Sequence, residues 1–244
     1  MLIERPPRLF RLFFKSSLFR VPHSSRKIYL TFDDGPVPGI TEWVLDILDR
    51  YGIKATFFMV GDNALRNPSL VDEVRRRGHA VGNHTMRHLQ GSLVTTRSYL
   101  RDVARADELL QTPLFRPPHG WMRLRQARAL KHRFRVVMYD LVTRDYSKKL
   151  DAAQVVANVR RYVRPGSIIV FHDSKKSWPR LQKALPEALE WLIAKGYEFA
   201  LVTPELGRGK HSPRLCYTHI GCHGANATWQ GNIGTQKRDR NEPA

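Results

Sequence analysis

The sequence predicts an α/β fold: a small, imperfect (β/α) barrel of about seven parallel strands, with an open doubly wound sheet as the competing layout. Three observations predict it. Apolar, β-rich runs alternate with segments of helical spacing from residue 27 to residue 203. The runs are apolar throughout rather than at every second residue, as parallel strands covered on both faces require. Residues suited to chemistry gather just past the ends of the runs, and in a parallel barrel those ends share one face.

The elements follow in order. The first run, KIYLTF (27–32), stops at Asp33-Asp34 and a Gly35-Pro36 turn. TEWVLDILDRYG (41–52) has helical spacing and closes on Gly52, where a C-cap glycine belongs. ATFFMV (55–60) is the second strand, PSLVDEVRRRG (68–78) the next helix, ending on Gly78, and HAVGNH (79–84) the third strand. SYLRDVARADELL (98–110) leads to PLFRPP (113–118), and MRLRQARALKH (122–132) to FRVVMY (134–139). AAQVVANVRRYV (152–163) precedes SIIVFH (167–172), and RLQKALPEALEWLIAKG (180–196), closing on Gly196, precedes the last run, EFALVT (198–203).

A chain of 244 residues, 42% hydrophobic and 26% charged, is long enough for one large domain with its own core. Its net charge of +19 draws it to anionic surfaces: nucleic acid, acidic lipid or acidic cell-wall polymer. No aromatic-basic strand motif or Arg-rich recognition helix is present, so no specific nucleic-acid partner is expected. There is no Gly-rich dinucleotide fingerprint and no phosphate-cradling loop, so nucleotide chemistry lacks support.

Residues 1–26 form a basic, aromatic-rich arm. As a helix it clusters Leu9, Phe10, Phe13 and Phe14 against Arg8, Arg11 and Lys15. That pattern suits either a helix lying on an anionic membrane surface or one packing its aromatics on the domain. Its longest apolar run, Leu12 to Phe14, is too short for a cleavable signal peptide or a span. A cell-envelope or membrane-associated location is the favoured reading, and a monomer the expected state. Residues 27–204 form the main domain. Residues 205–244 read as a polar, flexible tail. Its Cys216 and Cys222 are open to three readings: a mutual bridge, a metal site with His219 and His223, or reduced thiols.

At the rim, Asp33 and Asp34 end the first strand, and His84 and His88 follow the third. Arg116 ends the fourth, Asp140 and Asp145 follow the fifth, and His172 and Asp173 end the sixth. Two carboxylates in a half-buried site need a cation. One aspartate with two neutral imidazoles makes three ligands of a metal site with an open position for water. The other aspartate is then left to act as a base on that water.

In five ordered stretches, TFDDGP, HTMRH, RPPHG, DLVTRDY and VFHDS, the chain resembles the polysaccharide deacetylase family, carbohydrate esterase family 4, over 27–203. The resemblance implies a distorted, incomplete (β/α) barrel that catalyses metal-dependent removal of N-acetyl groups from a glycan of peptidoglycan or chitin type. It implies one divalent cation, zinc first, with cobalt or nickel as alternatives. By the same resemblance Asp33 is the base, and Asp34, His84 and His88 hold the metal. Arg116 pairs with the base, and Asp145 orients and charges His172, the acid. Pro118, His119 and Tyr146 line the substrate groove, and Trp178 offers either a sugar-stacking face or ordinary core packing. The chain departs from the family where His119 stands in place of a frequent Tyr and Tyr146 in place of the usual Trp. The alternatives are an O-acetyl esterase on a polysaccharide such as xylan, and a non-catalytic basic protein binding glycan or membrane surface.

Overall fold

The structure, a computed structural model, describes residues 4–22 and 25–207; Cys216, Cys222 and nearly all of the tail lie outside the described residues. Seven strands run parallel in the order β5-β4-β3-β2-β1-β7-β6. They are β1 (Lys27–Asp33), β2 (Thr56–Met59), β3 (Ala80–Asn83), β4 (Leu114–Phe115), β5 (Arg135–Val136), β6 (Leu141–Val142) and β7 (Ile168–His172). A two-residue β8 (Glu198–Phe199) pairs with the start of β1. The order is a path rather than a ring, so the sheet is a half-barrel, open between β5 and β6. Most of the apolar runs shorten to two to five paired residues, and β6 lies where no run was expected.

Helices cover the outside. These are α2 (Thr41–Arg50), α3 (Gly61–Arg66), α4 (Pro68–Arg76), α5 (Thr96–Leu110), α6 (Leu124–Leu130), α7 (Ala152–Tyr162) and α8 (Trp178–Ala194). Strand alternation divides the packing. Ile28, Leu30 and Phe32 of β1 join the large core beneath α2, α4, α7 and α8. Tyr29 belongs to the cluster of Phe58, Leu114, Val137 and Ile168 on the other face. Thr31 and Asp33 share that face, where both reach Arg116.

The open seam is bridged by the N-terminal arm. Val142 N donates to Glu4 O (2.9 Å), Leu18 N to Val136 O (2.9 Å) and Met138 N to Leu18 O (2.8 Å). Between these points runs α1 (Arg8–Phe13). Phe10 and Phe14 pack into a cluster with Phe19, Met122 and Phe134, so these two aromatics serve the domain. Leu9, Leu12 and Phe13 point away from it and are exposed.

Asp140, counted at the rim from sequence, sits instead under this arm. Its buried carboxylate accepts hydrogen bonds from Arg164 (2.6 and 2.9 Å), Ser167 (2.8 Å), Arg11 (3.0 Å) and Arg5 (3.4 Å). Burial works against its charge, but these donors win and bring its pKa down to about 2. No helix among the described residues is long and apolar enough to cross a membrane.

Candidate active site

The adjacent aspartates diverge because the strand ends between them. Asp33 is the last residue of β1 and keeps its inward phase. Asp34 takes a left-handed backbone (φ 81°), which swings its carboxylate to the same cleft. Behind the turn, Asp173 accepts hydrogen bonds from Gly35 N (3.2 Å) and the Thr41 hydroxyl (2.6 Å). A Cβ on Gly35 would lie 2.0 Å from the Asp173 carboxylate, so only glycine fits there. Burial pushes the Asp173 carboxyl up to about 8. Sequence placed Asp173 at the rim; its contacts make it the clasp of the Asp33-Asp34 turn.

Past β3 the chain forms a loop, not a helix. Thr85 and His88 are both left-handed (φ 65° and 54°). The loop is braced from α5: Asp102, buried, accepts from Met86 N (2.9 Å), Arg87 N (3.0 Å) and Arg87 Nε (2.9 Å). Sequence reasoning missed Asp102. Its signal was a carboxylate on the buried face of α5, in step with Tyr99, Val103 and Ala106. Asp34, Thr85, His88, His119 and Arg144, five of the six left-handed residues other than glycine among the described residues, stand in or beside the cleft. Backbone strain is thus stored where the functional groups are placed.

Within the loop, His84 Nδ1 lies 2.8 Å from Arg116 O. A carbonyl can only accept, so Nδ1 carries the proton and Nε2 presents a lone pair. That Nε2 is 3.8 Å from Asp34 Oδ1, and His88 Nε2 is 3.1 Å from the same oxygen. The three ligand atoms lie within 4.8 Å of one another. A lone pair and a carboxylate facing each other at this range suit a shared divalent cation, and the His84–carbonyl bond is the usual support of a metal-binding imidazole. Burial lowers the His84 pKa to about 4, which keeps it neutral and ready to ligate. For Asp34, burial raises the pKa, but the His88 hydrogen bond and the nearby imidazole charges hold it well below the usual carboxylate range.

Arg116 is buried and fully engaged. Its guanidinium donates to Asp33 Oδ1 (2.6 Å), Thr31 Oγ1 (2.8 Å), Met138 O (3.1 Å) and Val137 O (3.3 Å), and it lies 4.0 Å above the Phe58 ring. On the opposite wall, Asp145 accepts His172 Nδ1–H (2.7 Å) and the His172 backbone N–H (2.8 Å). Burial favours neutral His172, yet the Asp145 carboxylate overrides it and pushes the imidazole up to about 9.

These groups surround a cleft of about 270 Å³. Met138, Tyr139, Val142, Val170 and Lys176 also line it, none of them singled out by sequence. His119 (φ 59°) brings its ring to 4.7 Å from His88, and Tyr146 meets His172 edge-on at 4.9 Å. Two expected groove residues lie elsewhere. Pro118 is buried and is not among the residues lining the cleft. Trp178 packs edge-on against Trp43 at 5.2 Å, at the margin of the main core.

A parallel half-barrel with such a rim defines a hydrolytic class of protein with a candidate metal centre. The chain belongs to the polysaccharide deacetylase family, hydrolases of carbon–nitrogen bonds other than peptide bonds; the family pattern matches residues 20–135. It is 34% identical over 201 residues to a peptidoglycan-N-acetylglucosamine deacetylase of Bacillus cereus, covering 79% of this chain and 93% of the relative. It is 36% identical over 155 residues to a chitooligosaccharide deacetylase of Sinorhizobium fredii, covering 60% of this chain and 71% of that one. A crystal structure of a peptidoglycan N-acetylglucosamine deacetylase superposes with a TM-score of 0.75 at 28% identity, over 82% of this chain and 96% of that one.

Proposed function

We propose that this protein is a metal-dependent N-deacetylase of glycans built on N-acetylglucosamine, of peptidoglycan or chitin-oligomer type. The observation that carries the metal reading is the His84 tautomer: its proton is committed to Arg116 O, and its lone pair stands beside Asp34 and His88. Asp34, His84 and His88 would hold the cation. Zinc is the first choice for two imidazoles and a carboxylate, ahead of cobalt or nickel. Once bound, the cation supplies the positive charge that polarises the amide carbonyl and eases deprotonation of the attacking water.

The rest is done by the chain. Asp33, paired with and aimed by Arg116, takes the proton of the water whose oxygen bonds to the carbonyl carbon. His172, charged at neutral pH and fixed by Asp145, donates a proton to the nitrogen as the C–N bond breaks. The products are acetate and the free amine. An amine is a poor leaving group unless protonated, which is why the acid and base stand on opposite walls. Tyr146 and Lys176 lie beside the acid and contact the sugar.

The test is acetate release from N-acetylglucosamine oligomers and peptidoglycan, before and after chelation, with metal analysis. Activity should vanish with the metal and return on adding zinc or cobalt. Full activity in demonstrably metal-free protein would overturn the reading.

A further inference from the structure

Of the nine large apolar side chains exposed among the described residues, six gather on one side: Leu9, Leu12, Phe13, Leu93, Trp121 and Leu124. Their elements are in contact. Phe10 of α1 stacks on Trp121 at 5.1 Å, and Arg123 donates to Ser92 O at 2.9 Å, which joins the loop before α6 to the turn that carries Leu93. Leu9, Leu12 and Phe13 share one face of α1, while Phe10 and Phe14 on its other face already dock on the barrel. The outer face therefore has no role in the fold. It costs solubility and calls for a partner.

Charge identifies that partner. The segments that build this side carry no acidic residue: 5–32 has seven Lys/Arg, 87–101 has three and 116–139 has seven. Some are consumed internally, as Arg116 is by Asp33. Arg8, Lys15, Arg97, Arg125 and Arg128 are exposed, and none forms an ion pair with a carboxylate among the described residues. Leucine and aromatic side chains ringed by unpaired cations, on a short helix lying flat against the domain, match the boundary between acidic headgroups and acyl chains.

We propose that this face docks on an anionic phospholipid surface, with Leu9, Leu12, Phe13 and Trp121 entering the headgroup–acyl boundary and the surrounding arginines and lysines over the phosphates. Trp121 is two residues from His119, so the docked face begins at the lip of the cleft.

Cosedimentation of the full chain with phosphatidylcholine vesicles, with and without phosphatidylglycerol, tests this. Binding should require the acidic lipid, weaken with salt, and shift Trp emission to the blue in the wild type but much less in Trp121→Phe. Leu12→Ser/Phe13→Ser, changes at exposed positions, should weaken binding about tenfold or more, as loss of two inserted apolar side chains implies. Acetate release from a soluble oligomer should stay unchanged in that variant. Failure of the full chain to bind acidic vesicles would overturn the proposal. So would equal binding by Leu12→Ser/Phe13→Ser, or equal competition by double-stranded DNA, since either outcome describes a surface for any polyanion.

Discussion

Asp33 and Asp140 are both buried and both held by arginine, and they do different things. Asp33 pairs with a single guanidinium, that of Arg116, whose other N–H groups are spent on Thr31 and two backbone carbonyls. Its carboxylate forms part of the cleft wall. Asp140 is enclosed: Arg11 and Arg164 cover one oxygen, and Arg5, Arg164 and Ser167 the other. In the proposed mechanism the same chemical pair is a tool in one place, and in the other it is a fastener. What separates them is how many donors each oxygen has and whether water can reach it.

The largest effect should come from taking away what Asp33 works beside. His84→Ala/His88→Ala should eliminate both bound metal and acetate release, while Asp140→Asn keeps both; metal analysis alongside activity checks this. Metal retained in the double variant would remove the histidines from the ligand set.

Next is Asp33→Asn, which should keep fold and metal but lower turnover ~10²–10⁴-fold, the usual cost of losing a general base. A similar loss in Asp140→Asn at unchanged stability would break the comparison.

The third test concerns pH. His172 acts as an acid only while protonated, so kcat/KM should fall as pH rises through its pKa, which stands at about 9 before any cation is bound. A cation beside Asp34 draws that limb lower. Asp145→Asn should move it further down, because the charge that raises the imidazole is gone. An unmoved limb would mean another group reports there.

The smallest effect belongs to the fastener. Asp140→Ala should cost about 3 kcal/mol of stability, since it strands several guanidinium groups around a partly buried hole. Thermal unfolding measures this. Because the folded Asp140 pKa is depressed to about 2, its contribution is fully present above the ordinary carboxylate range, near 4, and is lost as pH falls through 2.

Much of the site was legible because it lies on strand ends. Asp33, Asp34, His84, His88, Arg116, Asp145 and His172 were each named from a motif just past an apolar run, and the fold brings all of them to one rim. What the sequence hid was decided by partners far along the chain. Asp140 and Asp145 look alike in a linear reading, and only their partners tell them apart: Arg164, Ser167 and the arm for Asp140, His172 for Asp145. Strand β6 has two residues and depends on pairing with Ile169 and Val170 of β7. Trp178 had claims to sugar and core, and its half-buried ring packs edge-on against Trp43. Of the arm's two readings, packing on the domain holds for Phe10 and Phe14, while Leu9, Leu12 and Phe13 on the other face of α1 are exposed.

The bridged seam has a consequence in time. Arg5 and Arg11 meet Asp140 across 135 and 129 residues, and Leu18 pairs with the strand edge at Val136 to Met138. During synthesis the arm leaves the ribosome before the strands it docks on, and its docking surface does not exist until β5, β6 and the start of β7 have followed. Contacts this distant in sequence close late, after local helices and neighbouring strands have formed. A segment made before the half-barrel is therefore among the last to find its place, and until then its aromatic residues and the raw edges of β5 and β6 are open to other chains.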